Sequence, residues 1–313
     1  MADVTDAAFR RIITKYGKPD VLWTEFVAVD GLLSPGREAL LKDLLYTEAE
    51  RPIVAQVFGS KPDNFYKVAQ LIAELGFDGI DINMGCPDRN VEKQGSGASL
   101  MKHPQLAQDI IRATKEGAPM LPVSVKTRVG YNKVEIDTWL PALLDAKPDV
   151  ITVHARTRKE MSDVPARWEH IREAVVMAKG TDTLIIGNGD VKNMEDARQK
   201  AEETGADGIM LGRAIFGNPW LFSPHANQNM SKPGFGMEER ISEKLRVMVG
   251  HTKLFMEILG DVKNFAVMKK HYKAYVNGFD GAKELRIKLM DAEGVDDVEA
   301  VVESFLLQSN SPN

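Results

Sequence analysis

Seven short apolar segments recur along the first two thirds of the chain, and their spacing limits what the chain can fold into. The segments begin about 24 to 43 residues apart and are rich in Val, Ile and Leu. They are Val21–Val27, Pro52–Phe58, Gly79–Met84, Pro122–Thr127, Val150–His154, Thr183–Ile186 and Asp207–Leu211. Continuous apolar runs are typical of parallel strands covered on both faces, and the intervals leave room for a helix after each strand.

The number of segments favours a (β/α)8 TIM barrel whose first strand is truncated. Thr5 or Asp6 is expected to cap a helix over Ala7–Tyr16, and no apolar run precedes it. Either the first strand is missing, or Met1 is an internal methionine of a longer product. A doubly wound open sheet is the alternative architecture. It is disfavoured because no GxGxxG turn follows the first visible strand.

The alternation stops after Phe222, which divides the chain into predicted domains. Residues 223–236 are rich in Pro, Asn, Ser and Gly and have no periodicity, which is typical of a linker. The residues that follow are helical in pattern. We therefore predict a barrel domain over residues 1–222, a linker over 223–236 and a small all-helical domain over 237–313.

Charge and cysteine content exclude several classes of protein. The net charge of −5 excludes a polycationic nucleic-acid binder, although a local basic patch remains possible. The single cysteine, Cys86, excludes a disulfide framework and a multi-cysteine metal site. No apolar run reaches the roughly 18 residues of a membrane span, and no signal segment opens the chain. We expect a cytoplasmic, monomeric protein that holds no metal.

One such basic patch lies in the predicted helical domain. Residues 262–290 contain seven Lys or Arg and two acidic residues. Phe265, Met268, Tyr272 and Tyr275 recur at the spacing of a buried helix face, which leaves Lys269, Lys270 and Lys273 on the opposite face. A solvated lysine face is one interpretation. The excess of positive charge in an acidic chain favours the other, which is contact with RNA phosphates.

Polar side chains follow six of the seven predicted strands. Barrel active sites lie at the carboxyl ends of the strands, so these side chains should converge. They are Gln56, Asn83, Cys86, Lys126, Arg128, His154, Arg156, Asn188, Asp190, Gly212 and Arg213. Each alone is more typical of a strand terminator, and His154 fits a satisfied strand-end histidine as well as a ligand-binding one. Together they predict an active site.

Two features of this set indicate chemistry. Glycine turns at residues 187–190 and 212–214 follow the last two strands, where barrels frequently hold a phosphate. Cys86 lies between Gly85 and Pro87 in a sharp turn at the barrel mouth. A lone cysteine is usually a small buried apolar residue, but this position suits a proton donor.

The motifs resemble those of the tRNA-dihydrouridine synthases, most closely the bacterial B-type branch. The most specific element is Asn83-Met84-Gly85-Cys86-Pro87. Further matching elements are the residues at 1–6, 55–56, 125–128, 154–158, 187–190, 212–214, 268–272 and 278–286. They span nearly the whole chain in the family's order. The apolar strand and proline that normally precede the position of Met1 are absent.

The resemblance implies that FMN and NADPH reduce a uridine of tRNA in a barrel that carries a helical RNA-binding domain. It implies that Cys86 donates a proton to C5 of uracil while flavin delivers hydride to C6, and that Asn83 holds the uracil. The residues implied to contact FMN are Met1, Ala2, Gln56, Lys126, His154, Asn188, Asp190, Gly212 and Arg213. Arg128, Arg156 and Arg158, around the barrel mouth, are further candidates for tRNA contact.

Three other functions compete with this interpretation. An FMN barrel that acts on a free small molecule, similar to dihydroorotate dehydrogenase, would have no use for a basic helical domain. A Schiff-base aldolase using Lys126 would not be yellow. An inactive RNA-binding or folding factor would not need Cys86 or the set of implied flavin contacts.

Overall fold

A computed structural model describes residues 3–223 and 236–309, with side chains described to residue 308. Met1, Ala2 and most of the predicted linker 223–236 lie outside the described residues. The chain divides into two compact units. The barrel unit comprises Val21–Leu44 and Arg51–Arg213, and the helical unit comprises residues 3–20, 45–50 and those after 213. The helical unit therefore takes in residues on both sides of the sequence-predicted boundary at residue 222.

The barrel unit is built on one parallel sheet of seven strands in sequential order. The strands are β1 (Leu22–Ala28), β2 (Ile53–Phe58), β3 (Gly79–Asn83), β4 (Val123–Arg128), β5 (Val150–His154), β6 (Leu184–Asn188) and β7 (Gly208–Met210). All seven apolar segments are therefore confirmed as strands. A doubly wound sheet reverses its strand order near the middle, and this sheet does not, so that alternative is wrong. The topology is that of a (β/α)8 barrel from its second strand onward.

Helices connect the strands of the barrel unit. They are α2 (Val29–Leu32), α3 (Arg37–Leu41), α4 (Pro62–Glu74), α5 (Arg89–Lys93), α6 (Pro104–Gly117), α7 (Ile136–Leu144), α8 (Glu169–Ala178) and α9 (Met194–Thr204). The buried face of α4 carries Phe65, Val68, Ala69 and Ile72, as their three- and four-residue spacing dictates. Gly76 follows α4 with a φ of 78°, a conformation that glycine adopts without strain.

Aspartates close the amino ends of three strands. Asp78 accepts the N–H of Ile53 at 2.7 Å, Asp149 that of Val123 at 2.8 Å, and Asp207 that of Ile185 at 2.8 Å. In each case the carboxylate precedes one strand and accepts the N–H of the first or second residue of the strand before it in the sheet. These carboxylates stabilise the amino end of the sheet by satisfying backbone donors, whereas active sites in barrels lie at the carboxyl end.

The helical unit contains α1 (Ala7–Gly17) and four later helices, α10 (Met237–Leu259), α11 (Met268–Tyr275), α12 (Ala282–Asp291) and α13 (Val295–Ser309). The side chain of Asp6 caps α1 by accepting the N–H of Phe9 at 2.9 Å, which confirms one of the two predicted caps. Phe9 is fully buried and stacks on His251 of α10 at a centroid distance of 5.1 Å. Its ring also lies 4.8 Å from that of His271 in α11.

The two buried histidines of this cluster are uncharged. Burial lowers the pKa of His251 well below its ordinary value, and the neighbouring His271 lowers it further. Burial, together with the charge of Lys270, lowers the pKa of His271 to about 4. Both rings therefore act as aromatic core residues at neutral pH. None of the helices in the described residues is long and apolar enough to cross a membrane.

A buried ion pair ties α1 to the short segment at residues 45–50. Arg10 and Glu50 are both fully buried, and Arg10 Nε donates to Glu50 Oε2 at 2.8 Å. The guanidinium also donates to the carbonyl oxygens of Thr5 and Leu45. Glu50 in turn accepts the N–H of Thr47 at 2.9 Å. Every charged atom of Arg10 and Glu50 has a hydrogen-bond partner, and these bonds together offset the cost of burying the two charges. Loss of either residue would leave the other charge buried without its partner.

Replacing Glu50 with alanine should therefore destabilise the protein strongly. Glu50→Ala leaves the Arg10 charge buried without its counterion, and we expect a loss of about 3–5 kcal/mol in the free energy of unfolding. Urea denaturation followed by circular dichroism measures the loss. Arg112→Ala is the control, because its ion pair with Asp109 is exposed and should be worth under about 1 kcal/mol. Equal effects of the two substitutions would contradict the assignment.

Candidate active site

The carboxyl ends of the strands bring the predicted polar residues together in the barrel unit. In the parallel ladders Asn83 pairs with Lys126, Arg128 with His154, and His154 with Asn188. Neighbours in register point to the same face of a sheet, so β3 to β6 place these side chains side by side. Gly212 and Arg213 directly follow β7, next in sheet order. In the described residues no group of three or more His, Cys, Asp or Glu could hold a metal ion.

A buried polar row underlies this set. Gln56, Asp81 and Ser124 pair with one another across β2, β3 and β4. Gln56 Nε2 donates to Asp81 Oδ2 at 2.8 Å, and Ser124 Oγ donates to Asp81 Oδ1 at 2.6 Å. Asp81 is fully buried, and burial raises the pKa of its carboxyl despite these hydrogen bonds and the charge of Lys126.

Asn83 connects this row to the turn that carries Cys86. Its Nδ2 donates to Gln56 Oε1 at 3.2 Å. Its Oδ1 accepts the N–H of Gly85 at 3.2 Å and that of Cys86 at 3.0 Å. The side chain thus folds the chain back on itself immediately after β3, as asparagine does in tight turns.

The glycine-rich loop at residues 93–98 also stabilises the Cys86 turn. Ala98 N donates to the carbonyl oxygen of Cys86 at 2.9 Å. Gly97 has a φ of 60°, and a Cβ there would lie 2.8 Å from the same oxygen, so the approach requires glycine. Burial raises the pKa of the Cys86 thiol above its ordinary value, an effect that the charge of Arg128 only partly opposes. The thiol is therefore protonated at neutral pH.

Lys126 brings a cation into the site from β4. Its Nζ donates to Asn188 Oδ1 at 3.3 Å, and Asn188 Nδ2 donates to the carbonyl oxygen of Met210 at 2.8 Å. Burial and the nearby charge of Arg128 lower the pKa of Lys126 to about 8, while Asp81 opposes the shift. The ammonium form therefore predominates at pH 7 and is lost as the pH rises through about 8.

His154 is uncharged at neutral pH. Burial lowers its pKa to about 2, with contributions from the charges of Lys126, Arg128 and Arg156. Its Nε2 lies 3.1 Å from Arg156 Nη1. An arginine can only donate, so Nε2 accepts and the ring proton resides on Nδ1.

Asp190 organises the glycine turn after β6. Its φ is 53°, and it follows Gly189, whose φ of 132° favours glycine. Its carboxylate accepts from Arg156, from the N–H of Ala166 at 2.9 Å and from Arg213 Nη2 at 2.6 Å. Burial alone would raise the pKa of Asp190, but these contacts and charges hold it below its ordinary value.

The three arginines predicted to contact tRNA all make internal contacts. Arg128 donates to the carbonyl oxygens of Gly85, Thr157 and Met161 at 2.9–3.0 Å. Arg156 is buried and donates to the carbonyl oxygen of Val164 at 2.6 Å as well as to Asp190. Arg158 forms an ion pair with Glu92. These contacts order the loops at the carboxyl ends of the strands, and a direct role in tRNA binding stays a prediction.

The basic face of α11 lies in the helical unit and is only partly as predicted. Met268, Tyr272 and Tyr275 are buried, and Lys270 and Lys273 are exposed. Lys269 instead donates to the carbonyl oxygen of Met290 at 2.6 Å. Lys270 forms an exposed ion pair with Asp3 at 3.0 Å.

Sequence reasoning missed the functional setting of Asp81 and Ser124. Neither residue stands out in the sequence, where an acid inside a strand is typical of a buried structural residue. The available signal was strand alternation: Asp81 lies two residues before Asn83, and Ser124 two before Lys126, so each pair shares a face. Which of these side chains bond across strands depends on register, which the sequence alone does not specify.

Comparisons with known proteins agree on one family. A family model described as "Dihydrouridine synthase (Dus)" matches residues 1–310. "Probable tRNA-dihydrouridine synthase 2" of Bacillus subtilis (strain 168) is 40% identical over 310 residues, which cover 97% of this chain and 92% of that protein. "Probable tRNA-dihydrouridine synthase" of Staphylococcus aureus (strain COL) is 38% identical over 314 residues, covering 98% and 92%.

Solved structures with similar folds have distant sequences. A 2-naphthoyl-CoA reductase complex has a TM-score of 0.55 at 11% identity and covers 74% of this chain and 47% of that chain. Histamine dehydrogenase from Rhizobium sp. 4-9 has a TM-score of 0.51 at 12% identity, covering 79% and 46%. This chain therefore spans less than half the length of either protein. At such identities the similarity supports the fold alone.

The protonation state of Cys86 can be measured directly, because the chain has no other cysteine. A pKa above the ordinary value of about 9 means that the thiolate fraction grows about tenfold per pH unit below that value. The rate of iodoacetamide alkylation should therefore rise about tenfold per unit from pH 7 to 9 without levelling off. The urea-unfolded chain is the control and should level off at the ordinary thiol pKa. A plateau below pH 8 in the folded protein would indicate a resident thiolate and contradict the assignment.

Proposed function

The chain belongs to the dihydrouridine synthase family, and we propose that it reduces the C5–C6 double bond of uridines in tRNA to dihydrouridine, using FMN and NADPH. The observation that carries the proposal is Cys86, a protonated thiol on a turn anchored by Asn83 next to the cationic strand ends. The names of the relatives support tRNA as the substrate. Cytoplasmic location and a monomeric state belong to the same proposal.

The residues at the strand ends fit an anionic, phosphate-bearing flavin. The positive charges at the strand ends lower the pKa values of neighbouring groups: Arg128 lowers that of Lys126, Arg156 lowers that of Arg128, and all three cations lower that of His154. The site therefore holds more positive charge than the local acids neutralise. The hydroxyl of Thr152, the register neighbour of Lys126, is buried without a hydrogen-bond partner. FMN would supply a two-electron carrier between NADPH and the pyrimidine ring.

In this proposal each side chain has a separate task. Lys126 and Asn188 would hold the flavin ring, and the Lys126 ammonium would stabilise the negative charge of the reduced flavin. Arg213 and the glycine turns beside Asp190 bind the phosphate. Neutral His154 would contact the cofactor through Nδ1, the ring nitrogen that Arg156 leaves free. Asn83 holds the uracil, and Cys86 faces C5.

Cys86 completes the reduction of the double bond. As hydride adds at C6, electron density moves to C5, and the Sγ–H bond breaks to deliver its proton there. The thiolate that remains is stabilised by the charge of Arg128 and regains its proton from water. A thiol that is already protonated at neutral pH is suited to this step, because a general acid must hold its proton until the transition state.

Access to a uridine in folded tRNA requires the base to leave its stack, which costs a few kcal/mol. Binding energy from elsewhere on the tRNA must offset this cost. Lys270 and Lys273, exposed on α11, are candidates for phosphate contacts. A small-molecule substrate would need no such contacts, so the choice between tRNA and free uridine tests the proposal.

The test is dihydrouridine formation in vitro. Protein supplied with FMN and NADPH should form dihydrouridine in unmodified tRNA and none from free uridine. Cys86→Ala should slow uridine reduction by about 10²- to 10⁴-fold, the usual contribution of a positioned proton donor. Oxidation of NADPH in the absence of tRNA should stay near the wild-type rate. Absence of FMN binding, or equal losses in both half-reactions of Cys86→Ala, would contradict the proposal.

The contribution of α11 can be measured through the salt dependence of tRNA binding. If Lys270 and Lys273 each meet one phosphate, Lys270→Gln/Lys273→Gln should flatten the slope of log K against log[salt] by about 1.4–1.8 units. Lys269 is left unchanged because it holds the carbonyl oxygen of Met290.

Lys67→Gln/Lys179→Gln is the matched control, because it removes the same charge from exposed positions of the barrel unit. The control should leave the slope unchanged. Equal slopes for wild type and the α11 variant would mean that these lysines form a solvated face.

A further inference from the structure

We propose that Asp81 is a positioning residue that fixes the hydrogen-bonding direction of Gln56 and Asn83, and through them the turn that carries Cys86. The role of this turn in catalysis rests on the proposed function. The positioning itself does not, because it concerns only contacts within the barrel unit. Asp81 acts through the two amides and makes no hydrogen bond to Cys86.

Register brings the members of this chain of contacts together. Gln56, Asp81 and Ser124 are direct neighbours on β2, β3 and β4. Asn83 lies two residues after Asp81 on the same strand and therefore on the same face. Gln56, Asp81, Asn83 and Ser124 are all buried, with relative exposures of 6%, 0%, 7% and 8%. Water therefore cannot replace a lost partner at little cost.

The direction of every bond follows from the backbone. The N–H groups of Gly85 and Cys86 can only donate, so they require the oxygen of the Asn83 amide. The amide nitrogen of Asn83 must then face Gln56, which has to present its own oxygen. The nitrogen of Gln56 is left facing Asp81. An acceptor at position 81 is the only partner that keeps this sequence of bonds intact.

Asp81 is well suited to terminate the chain of bonds. Its two oxygens accept from opposite sides, one from Gln56 and one from Ser124. An apolar residue at this position would leave Gln56 Nε2 buried without an acceptor. The amide of Gln56 would lose the bond that fixes its orientation, so Asn83 Nδ2 would no longer face a firmly held acceptor. Asn83 would in turn release the N–H of Cys86.

The same direction determines what the site offers a ligand. Gln56 and Asn83 each have a second amide hydrogen beyond the bonds described. Both amides therefore offer N–H donors, which match the carbonyl oxygens of a pyrimidine ring such as that of uracil or of the flavin. An exocyclic amine, as in cytosine, is itself a donor and would oppose them. Asp81 thus favours a carbonyl-bearing ring from a position that the ring does not touch.

The experiment compares Asp81→Leu with Asp81→Asn. Leucine removes both acceptors at similar size. Asparagine can still accept from Gln56 while its nitrogen donates to the hydroxyl of Ser124, so it should preserve the direction of the bonds. Two quantities are measured: the alkylation rate of Cys86 at pH 8, which needs neither cofactor nor tRNA, and kcat and KM with tRNA.

Asp81→Leu should raise the alkylation rate about tenfold and lower kcat about 10- to 100-fold with a smaller change in KM, the effect of one buried donor left unpaired. Asp81→Asn should stay within about threefold of wild type in both, because the bond directions are kept. Equal impairment of the two variants would show that charge, not direction, matters and would overturn the proposal. So would a wild-type alkylation rate in Asp81→Leu.

Two further variants guard against a general loss of stability. Asp207→Leu removes a carboxylate from the amino end of the sheet and should leave Cys86 alkylation unchanged. A rise there would overturn the positioning role. If Asp81→Leu does not fold, Gln56→Met is the alternative variant. It removes the hydrogen bond between residue 56 and Asn83 and should raise the alkylation rate of Cys86 by a similar factor. A wild-type protein that forms no dihydrouridine would refute the proposed function and leave the alkylation test intact.

Discussion

A carboxylate enclosed within a parallel sheet is the constraint on which the rest of this site depends. Asp81 lies on the central part of β3, fully buried, where an unpaired charge would be prohibitively costly. The sheet satisfies it by register: β2 and β4 each bring one donor to the same level. Because Asn83 and Lys126 lie two residues further along the same strands, this solution also fixes their positions. The buried row of Gln56, Asp81 and Ser124 therefore fixes the positions of the functional side chains at the carboxyl ends of these strands.

The carboxyl ends of the strands collect several positive charges that repel one another. Burial and neighbouring charges lower the pKa of Lys126 to about 8 and that of Arg128 to about 10, and they keep His154 neutral. Asp190 is the acid that offsets part of this charge, through Arg156 and Arg213. A protein selected for stability alone would not collect these groups in one place. An anionic ligand would relieve the repulsion, so the same charges that weaken the folded state strengthen binding.

The sequence predicts the sheet well because its signals are local. Each strand is rich in Val, Ile and Leu, and each is short enough to be told from a helix. The strand-end residues follow from the rule that barrel sites lie at carboxyl ends. Hydrogen-bond partners are not local: Arg156 could equally have faced solvent, and only the fold brings Asp190 and Val164 to it. Lys269 shows the same limit, because helical periodicity cannot foresee the carbonyl oxygen of Met290.

The division into units was the hardest feature to foresee, because the helical unit is discontinuous in sequence. Its core includes Phe9, whose ring packs against both His251 and His271. Gly217 contributes too, since a Cβ there would lie 2.0 Å from the carbonyl oxygen of Ala274. The helices after residue 236 thus pack against residues from the start of the chain and from the segment just after β7. A helical domain cut out at the linker would expose two uncharged histidines that Phe9 normally covers. The helical unit that carries the basic face of α11 therefore requires residues from the start of the chain as well as those after β7.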